Sequence, residues 1–178
     1  RAVLSMAKIF NADIYAGKYS PNKTFKGFSK FRITVLNKLN LSQRVDKLYL
    51  NYKYKFLKLD KYDIYILLGG ASLNSAKANR PNLWWCCSPR IWLYHTTDTD
   101  LKRVSFLKRM LIYCLLPFLR LEDKLNVKNV QNIKSIAKNV RFRVKKIYDR
   151  DSEIIYPFVD LNKFKYLKSG DYYLSSAR

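Results

Sequence analysis

The chain has 178 residues, with 35 Lys plus Arg against 13 Asp plus Glu and a formal net charge of +22. At 48% hydrophobic and 15% aromatic it is too apolar for a disordered basic tail, and 5 Gly with 5 Pro exclude a collagen-like or linker composition. Cys86, Cys87 and Cys114 with the single His95 do not supply the usual four Cys/His ligands of a structural zinc site, so no metal is expected.

Ala2, Val3, Met6, Ala7 and Phe10 recur at helical spacing and predict a first helix, which runs into a short strand at 11–15 ended by Gly17. Ser20, Pro21 and Asn22 mark a turn, 23–30 reads as loop, and 31–36 alternates as a second strand. From Val45 the positions Leu48, Tyr49, Tyr52, Phe56 and Leu59 step by three or four and form the apolar stripe of a helix, with Lys47, Lys53 and Lys58 opposite. The run 63–68 is continuously apolar and closed by Gly69-Gly70, the pattern of a central parallel strand covered on both faces. A second buried strand at 83–87 stops at Ser88-Pro89. Residues 101–119 predict a basic, apolar helix broken near Pro117. A strand at 130–136 precedes a helix at 138–148, whose buried stripe is Val140, Val144 and Ile147 and whose exposed side carries Arg141, Arg143, Lys145 and Lys146. Strands at 153–157 and 171–175 close the chain.

Strand and helix patterns alternate throughout, which predicts an α/β fold with a parallel sheet and helices on both faces. Ligands of such sheets sit at the carboxyl ends of the strands, where Gly69 and Gly70 follow one strand and Cys87, Ser88 and Arg90 follow another. The longest apolar run, 110–119, is well short of the ~20 residues of a spanning helix. Residues 1–10 are too short and mixed for a signal peptide. The neighbouring cysteines do not readily bridge each other, so a reducing, cytoplasmic setting is expected. The cationic excess calls for an anionic partner, although enrichment in Lys, Asn, Ile and Tyr also fits codon bias.

Residues 61–66, then Arg80-Pro81-Asn82-Leu83-Trp84-Trp85-Cys86-Cys87-Ser88-Pro89-Arg90, then 135–148, then 150–160 with Tyr156-Pro157-Phe158-Val159-Asp160 resemble, in that order, the family 4 glycosyltransferases. The resemblance implies a GT-B fold of which this chain is the first half. Residues 1–156 would be a Rossmann-like three-layer acceptor domain whose first strand and Gly loop precede the chain. Residues 157–169, with Phe164, would cross between domains, and 170–178 would open a donor domain. A nucleotide-sugar donor is implied as substrate, with no resident cofactor, and a saccharide or lipid-linked acceptor as partner at the inner membrane face. Lacking the donor half, this chain alone would be inactive.

Glycosyl transfer develops an oxocarbenium-like centre and releases a diphosphate, so positive charge and helix N-terminal amides are needed at the phosphates. In the resemblance Arg178 matches the basic residue aimed at the donor diphosphate. Cys87 occupies the family's histidine position, a catalytic or sugar-contacting place that a weakly donating thiol fills differently. Ile136-Ala137 stands where Asn-Ser is common, and Phe158 replaces a second proline. His95 reads as a loop histidine, with a Cys-His pair as the alternative.

Trp84 and Trp85 either surround a sugar or point to opposite faces of a buried strand, and Trp92 is the better sugar-side candidate. Segment Lys102 to Arg120 sets Lys102, Arg103, Lys108 and Arg109 beside Phe106, Leu107, Leu111 and Leu115, a composition suited either to an anionic membrane surface or to a packed helix with a solvated basic side. Two rival classes remain, a nucleic-acid-binding protein and a non-catalytic interaction domain. Against the first, the basic residues are spread along the chain and no helix-turn-helix, RNA-recognition or zinc spacing is present.

Overall fold

In the computed structural model, which describes residues 2–39, 43–94, 105–157 and 170–171, every strand pairing among the described residues is parallel. Strands β1 (Ile14–Ala16) and β2 (Ile33–Val35) form one sheet, and β3 (Tyr65–Leu68), β4 (Asn82–Cys86), β5 (Asn132–Ser135) and β6 (Glu153–Ile154) form a second in that order. Helices α1 (Ala2–Ile9), α2 (Gln43–Lys55), α3 (Ile91–Tyr94), α4 (Phe106–Lys128) and α5 (Lys138–Tyr148) lie among them in the chain. Parallel neighbours cannot be joined by tight hairpins, so the chain must cross over between strands. The class is therefore α/β with Rossmann-like layering, as the alternating pattern implied. The core beneath the larger sheet is built from Leu67, Leu73, Trp84, Cys86, Val127 and Val144.

Several elements differ from their sequence reading. The first strand begins at Ile14, not Asn11, because Asn11 takes φ 45° and closes α1 in the left-handed conformation that Asn tolerates. The loop 23–30 contains a 3-10 turn at Lys26–Lys30. Strand β3 is not sheet-central among the described residues. Its only strand neighbour there is β4, and burial alternates, with Tyr65 and Leu67 buried and Ile66 and Leu68 half-buried. Helix α4 runs unbroken through Pro117 to Lys128. A proline removes one helical hydrogen bond, and here the turns beyond it are held by buried Val127 and Asp123.

Helix α2 turns a different face inward from the one its apolar stripe indicated. Of the predicted stripe Leu48, Tyr52 and Phe56 are exposed and Tyr49 and Leu59 half-buried, with Phe56 and Leu59 beyond the helix end, while Asp46, Leu50, Asn51 and Tyr54 face the protein. Specific contacts fix this rotation. Asp46 accepts from the Asn37 amide and pairs with Lys18 at 3.0 Å, the Tyr54 hydroxyl donates to the Tyr15 carbonyl at 3.2 Å, and Leu50 lies against Gly17, where any Cβ would come within 2.9 Å of it.

Buried asparagines join the segments around β3 and β4. The Asn79 amide donates to the carbonyls of Leu57 at 2.8 Å and Ser75 at 2.9 Å, and its oxygen accepts from the Leu59 amide at 2.8 Å. Asn82 donates to the Ala76 and Asn79 carbonyls at 2.7 and 2.8 Å and accepts from the Gln131 amide at 2.9 Å. Asn74 bonds Asn51 of α2 at 3.1 Å and accepts from Asn126 of α4 at 2.6 Å, so one side chain links two helices across the 3-10 turn Ala71–Ser75. With both donor and acceptor satisfied, such burial avoids the cost of stripping polar groups of water.

Leu73, 1% exposed within that turn, and Leu48, 70% exposed, test the packing. Leu73→Ala is expected to lower unfolding free energy by about 2–5 kcal/mol, and Leu48→Ala to leave it within about 0.5 kcal/mol. Urea denaturation measures both, and equal losses would mean that α2 packs by its other face.

Candidate functional site

The strand registers place the carboxyl ends of the larger sheet side by side, with Leu68 opposite Trp85, Cys86 opposite Ser135, and Ser135 opposite Ile154. From this edge emerge Gly69-Gly70, then Cys87-Ser88, then Ile136-Ala137 at the start of α5. Gly69 has φ 80°, a left-handed turn in which a side chain is strained, and it carries the chain off β3.

Cys86 and Cys87 are neighbours with opposite environments. Cys86 is fully buried, and desolvation with the adjacent Cys87 pushes its thiol up to about 12. Cys87 is exposed at the edge. Ser88 is half-buried beside it, its hydroxyl donating to the Pro89 carbonyl at 3.0 Å and accepting from Arg143 at 3.4 Å. Arg143, read from sequence as part of the solvated side of α5, is also positioned by Asn139 at 3.0 Å and places a guanidinium at the strand ends.

Arg90 points inward. Its guanidinium donates to the Gly70 carbonyl, and its Nε lies 3.1 Å from Asp123 Oδ1, an ion pair outside hydrogen-bond alignment. Asp123 on α4 is wholly buried, and its other oxygen accepts from the Tyr94 hydroxyl at 3.0 Å and the Tyr148 hydroxyl at 2.7 Å. Burial first and the Asp123 charge second hold both tyrosine hydroxyls well above their ordinary pKa, so they stay protonated as donors. The two rings meet edge-on at 5.9 Å, and Tyr148 meets Trp84 in the same way at 5.8 Å. A Cβ on Gly70 would lie 2.7 Å from Arg90 Nε, so any side chain there would displace Arg90 from its place beside Asp123.

Of the expected site residues, Gly69, Gly70, Cys87 and Ser88 gather at the strand ends. Trp92 sits on α3 with 55% exposure. Arg90 belongs to the support beneath the edge, because its charge is engaged by Asp123. Trp84 and Trp85 are consecutive on β4 and both buried, so they are strand core on its two faces. His95, Lys102, Arg103, the Lys108 side chain, residues 158–169 of the expected crossing and 172–178 with Arg178 lie outside the described residues. Sequence reading missed Asp123. Its signal was a stripe at 116, 120, 123 and 127, one face of a helix, in which Leu116 and Val127 are buried and an acid sits between them.

Along one edge the site thus offers a thiol, a hydroxyl, a guanidinium and the backbone of a glycine turn. Among the described residues no cluster of three His, Cys, Asp or Glu is placed to hold a metal. Comparison with family models, curated proteins and solved structures finds no match to this chain.

Two outcomes are expected. Asp123→Ala leaves the largely buried Arg90 charge unpaired and should cost about 3–5 kcal/mol in denaturation, whereas Leu121→Ala, exposed on the same helix, should be silent. Iodoacetamide should alkylate Cys87 and Cys114 in the native protein and reach Cys86 only on unfolding, as read by peptide mass spectrometry. Native labelling of Cys86 would show the strand end to be open.

Proposed function

We propose that this chain is the acceptor-side half of a glycosyltransferase that moves a sugar from a nucleotide donor to a saccharide or lipid-linked acceptor. The observation that carries the reading is the convergence of Gly69-Gly70, Cys87-Ser88 and Arg143 on one carboxyl edge of a parallel sheet, where open α/β sheets bind ligands. A presented thiol and a cation suit sugar hydroxyls and phosphate oxygens. Cys87 stands at the presented position that the resemblance assigns to histidine. As a thiol it supports sugar contact more readily than imidazole-type proton transfer.

A lipid-linked acceptor is supported by the outer face. Leu48 and Tyr52 of α2, Phe56 just beyond it, and Phe118, Leu121 and Leu125 of α4 are all exposed, and Lys55 at the end of α2 lies 3.7 Å from Glu122 of α4. An apolar surface on a chain of net charge +22 suits contact with an anionic bilayer. Among the described residues no helix is long and apolar enough to cross a membrane.

Titrating the isotope-labelled chain with nucleotide sugars and oligosaccharides is the test. Amide shifts at Gly69, Gly70, Cys87 and Ser88, with the Trp92 indole, are expected on saccharide addition, together with salt-sensitive sedimentation on phosphatidylglycerol vesicles. Tight, salt-sensitive oligonucleotide binding without those shifts would replace this reading with a nucleic-acid-binding one.

A further inference from the structure

A cavity of about 450 Å³ lies between the two sheets, lined by Ile14 and Tyr15 of β1, by all four residues of β3, and by Met6 and Ala7 of α1. In a parallel ladder alternate residues direct both N–H and C=O to the same neighbour. The Tyr65 amide donates to the Pro81 carbonyl at 2.9 Å, so Tyr65 and Leu67 address β4 while Ile66 and Leu68 address the cavity. On β1 the Ile14 amide donates to Arg32 at 3.0 Å and the Ala16 carbonyl accepts from Leu36 at 2.9 Å, which leaves Tyr15 addressing the cavity from the other side. Among the described residues no strand pairs with either edge. Two side-chain hydroxyls stand there instead, Tyr54 on the Tyr15 carbonyl at 3.2 Å and Ser72 on the Leu68 carbonyl at 2.9 Å.

The two edges run in the same direction. Ahead of both strands the Tyr62 hydroxyl donates to Asp13 at 2.7 Å. Beyond both strands α2 touches each, through Leu50 at Gly17 and Asn51 at Asn74. An apolar gap between two facing, co-directional edges that no described strand pairs is the shape of a parallel strand.

We propose that this cavity is a strand slot, filled by a segment of the protein's own polypeptide that leads into α1. Helix α1 supplies the reason for that source. It runs directly into β1 and buries Ala7 along the slot, so a strand entering α1 from the slot would join β1 through a single helical crossover, the standard link between adjacent parallel strands. A strand from a second copy would lack this tether and bear the full loss of translational freedom. Filling the slot turns two sheets into one of order β2-β1-slot-β3-β4-β5-β6. Its strand order reverses beside β3, where Gly69 and Gly70 emerge.

The test compares the 178-residue chain with the chain extended by whatever its reading frame encodes ahead of Arg1. Hydrogen exchange of the Tyr15, Ile66 and Leu68 amides should slow by at least about tenfold in the longer chain, with a higher melting temperature. With Ile66→Cys, cysteines scanned through the added segment should form disulfides at every second residue, the period of a strand. Unchanged exchange, cross-links at a period of three to four, or a longer chain that is no more stable would overturn the proposal. Protection that appears in the 178-residue chain only as it dimerises would assign the slot to a second copy and overturn the source named here.

Discussion

One carboxylate without solvent exposure organises the strand-end region. Asp123 gathers Arg90, Tyr94 and Tyr148, and through Arg90 it reaches the Gly70 carbonyl. An ionised carboxylate removed from water is costly by several kcal/mol unless paired and hydrogen-bonded. Two hydroxyl donors and a guanidinium supply that compensation only if α3, α4, α5 and the Gly69-Gly70 turn occupy their observed places. The requirement is therefore geometric: the elements that carry the candidate site are registered on a group lying beneath it. Arg120 reinforces the arrangement by donating to the Leu93 carbonyl at 2.8 Å and lying over the Tyr94 ring.

The remaining charge is distributed differently. Arg90–Asp123 is the ion pair whose partners are both largely buried among the described residues, while pairs such as Lys58–Asp60 and Lys145–Asp149 are solvent-exposed and worth little. Arg141 grips Asp151 through two bonds of 2.8 and 2.7 Å and lowers its carboxyl to about 2. Asp151 has a lowered folded-state pKa, so this contribution is present above the ordinary carboxylate value of 3.8 and lost as pH falls from there through about 2. With so few acids, most cations keep no such partner to neutralise them, and the surface field they generate favours anionic ligands over neutral ones.

Sequence legibility varied with the kind of interaction. Helix α5 matches its predicted span 138–148, with Val140 and Val144 buried as the periodicity required, because one side packs on the sheet and the other meets water. Strand β4 was legible as an apolar run bounded by turn residues, and β5, predicted at 130–136, forms as the shorter, mostly polar Asn132–Ser135. Helix α2 was not. Its apolar stripe and its packed face differ, since Asp46 pairs with Lys18, Asn51 with Asn74 and Tyr54 with Tyr15, partners more than twenty residues away that outweigh the exposure of Leu48, Tyr52 and Phe56. The asparagines were read as a compositional bias, yet Asn74, Asn79 and Asn82 are buried joints.

The sequence by itself determined the α/β class, the parallel direction and the placing of Gly69, Gly70, Cys87 and Ser88 at strand ends, because those depend on local periodicity and on turn residues next to one another. Tertiary structure alone decided which of two adjacent thiols is presented, that Arg90 is consumed by Asp123, which face of α2 packs inward, and that two strand edges face one another across an apolar gap. The physical reason is range. Hydrophobic period is written within a dozen consecutive residues, whereas a buried polar group is satisfied by partners tens of residues away, and only the folded chain brings donor to acceptor.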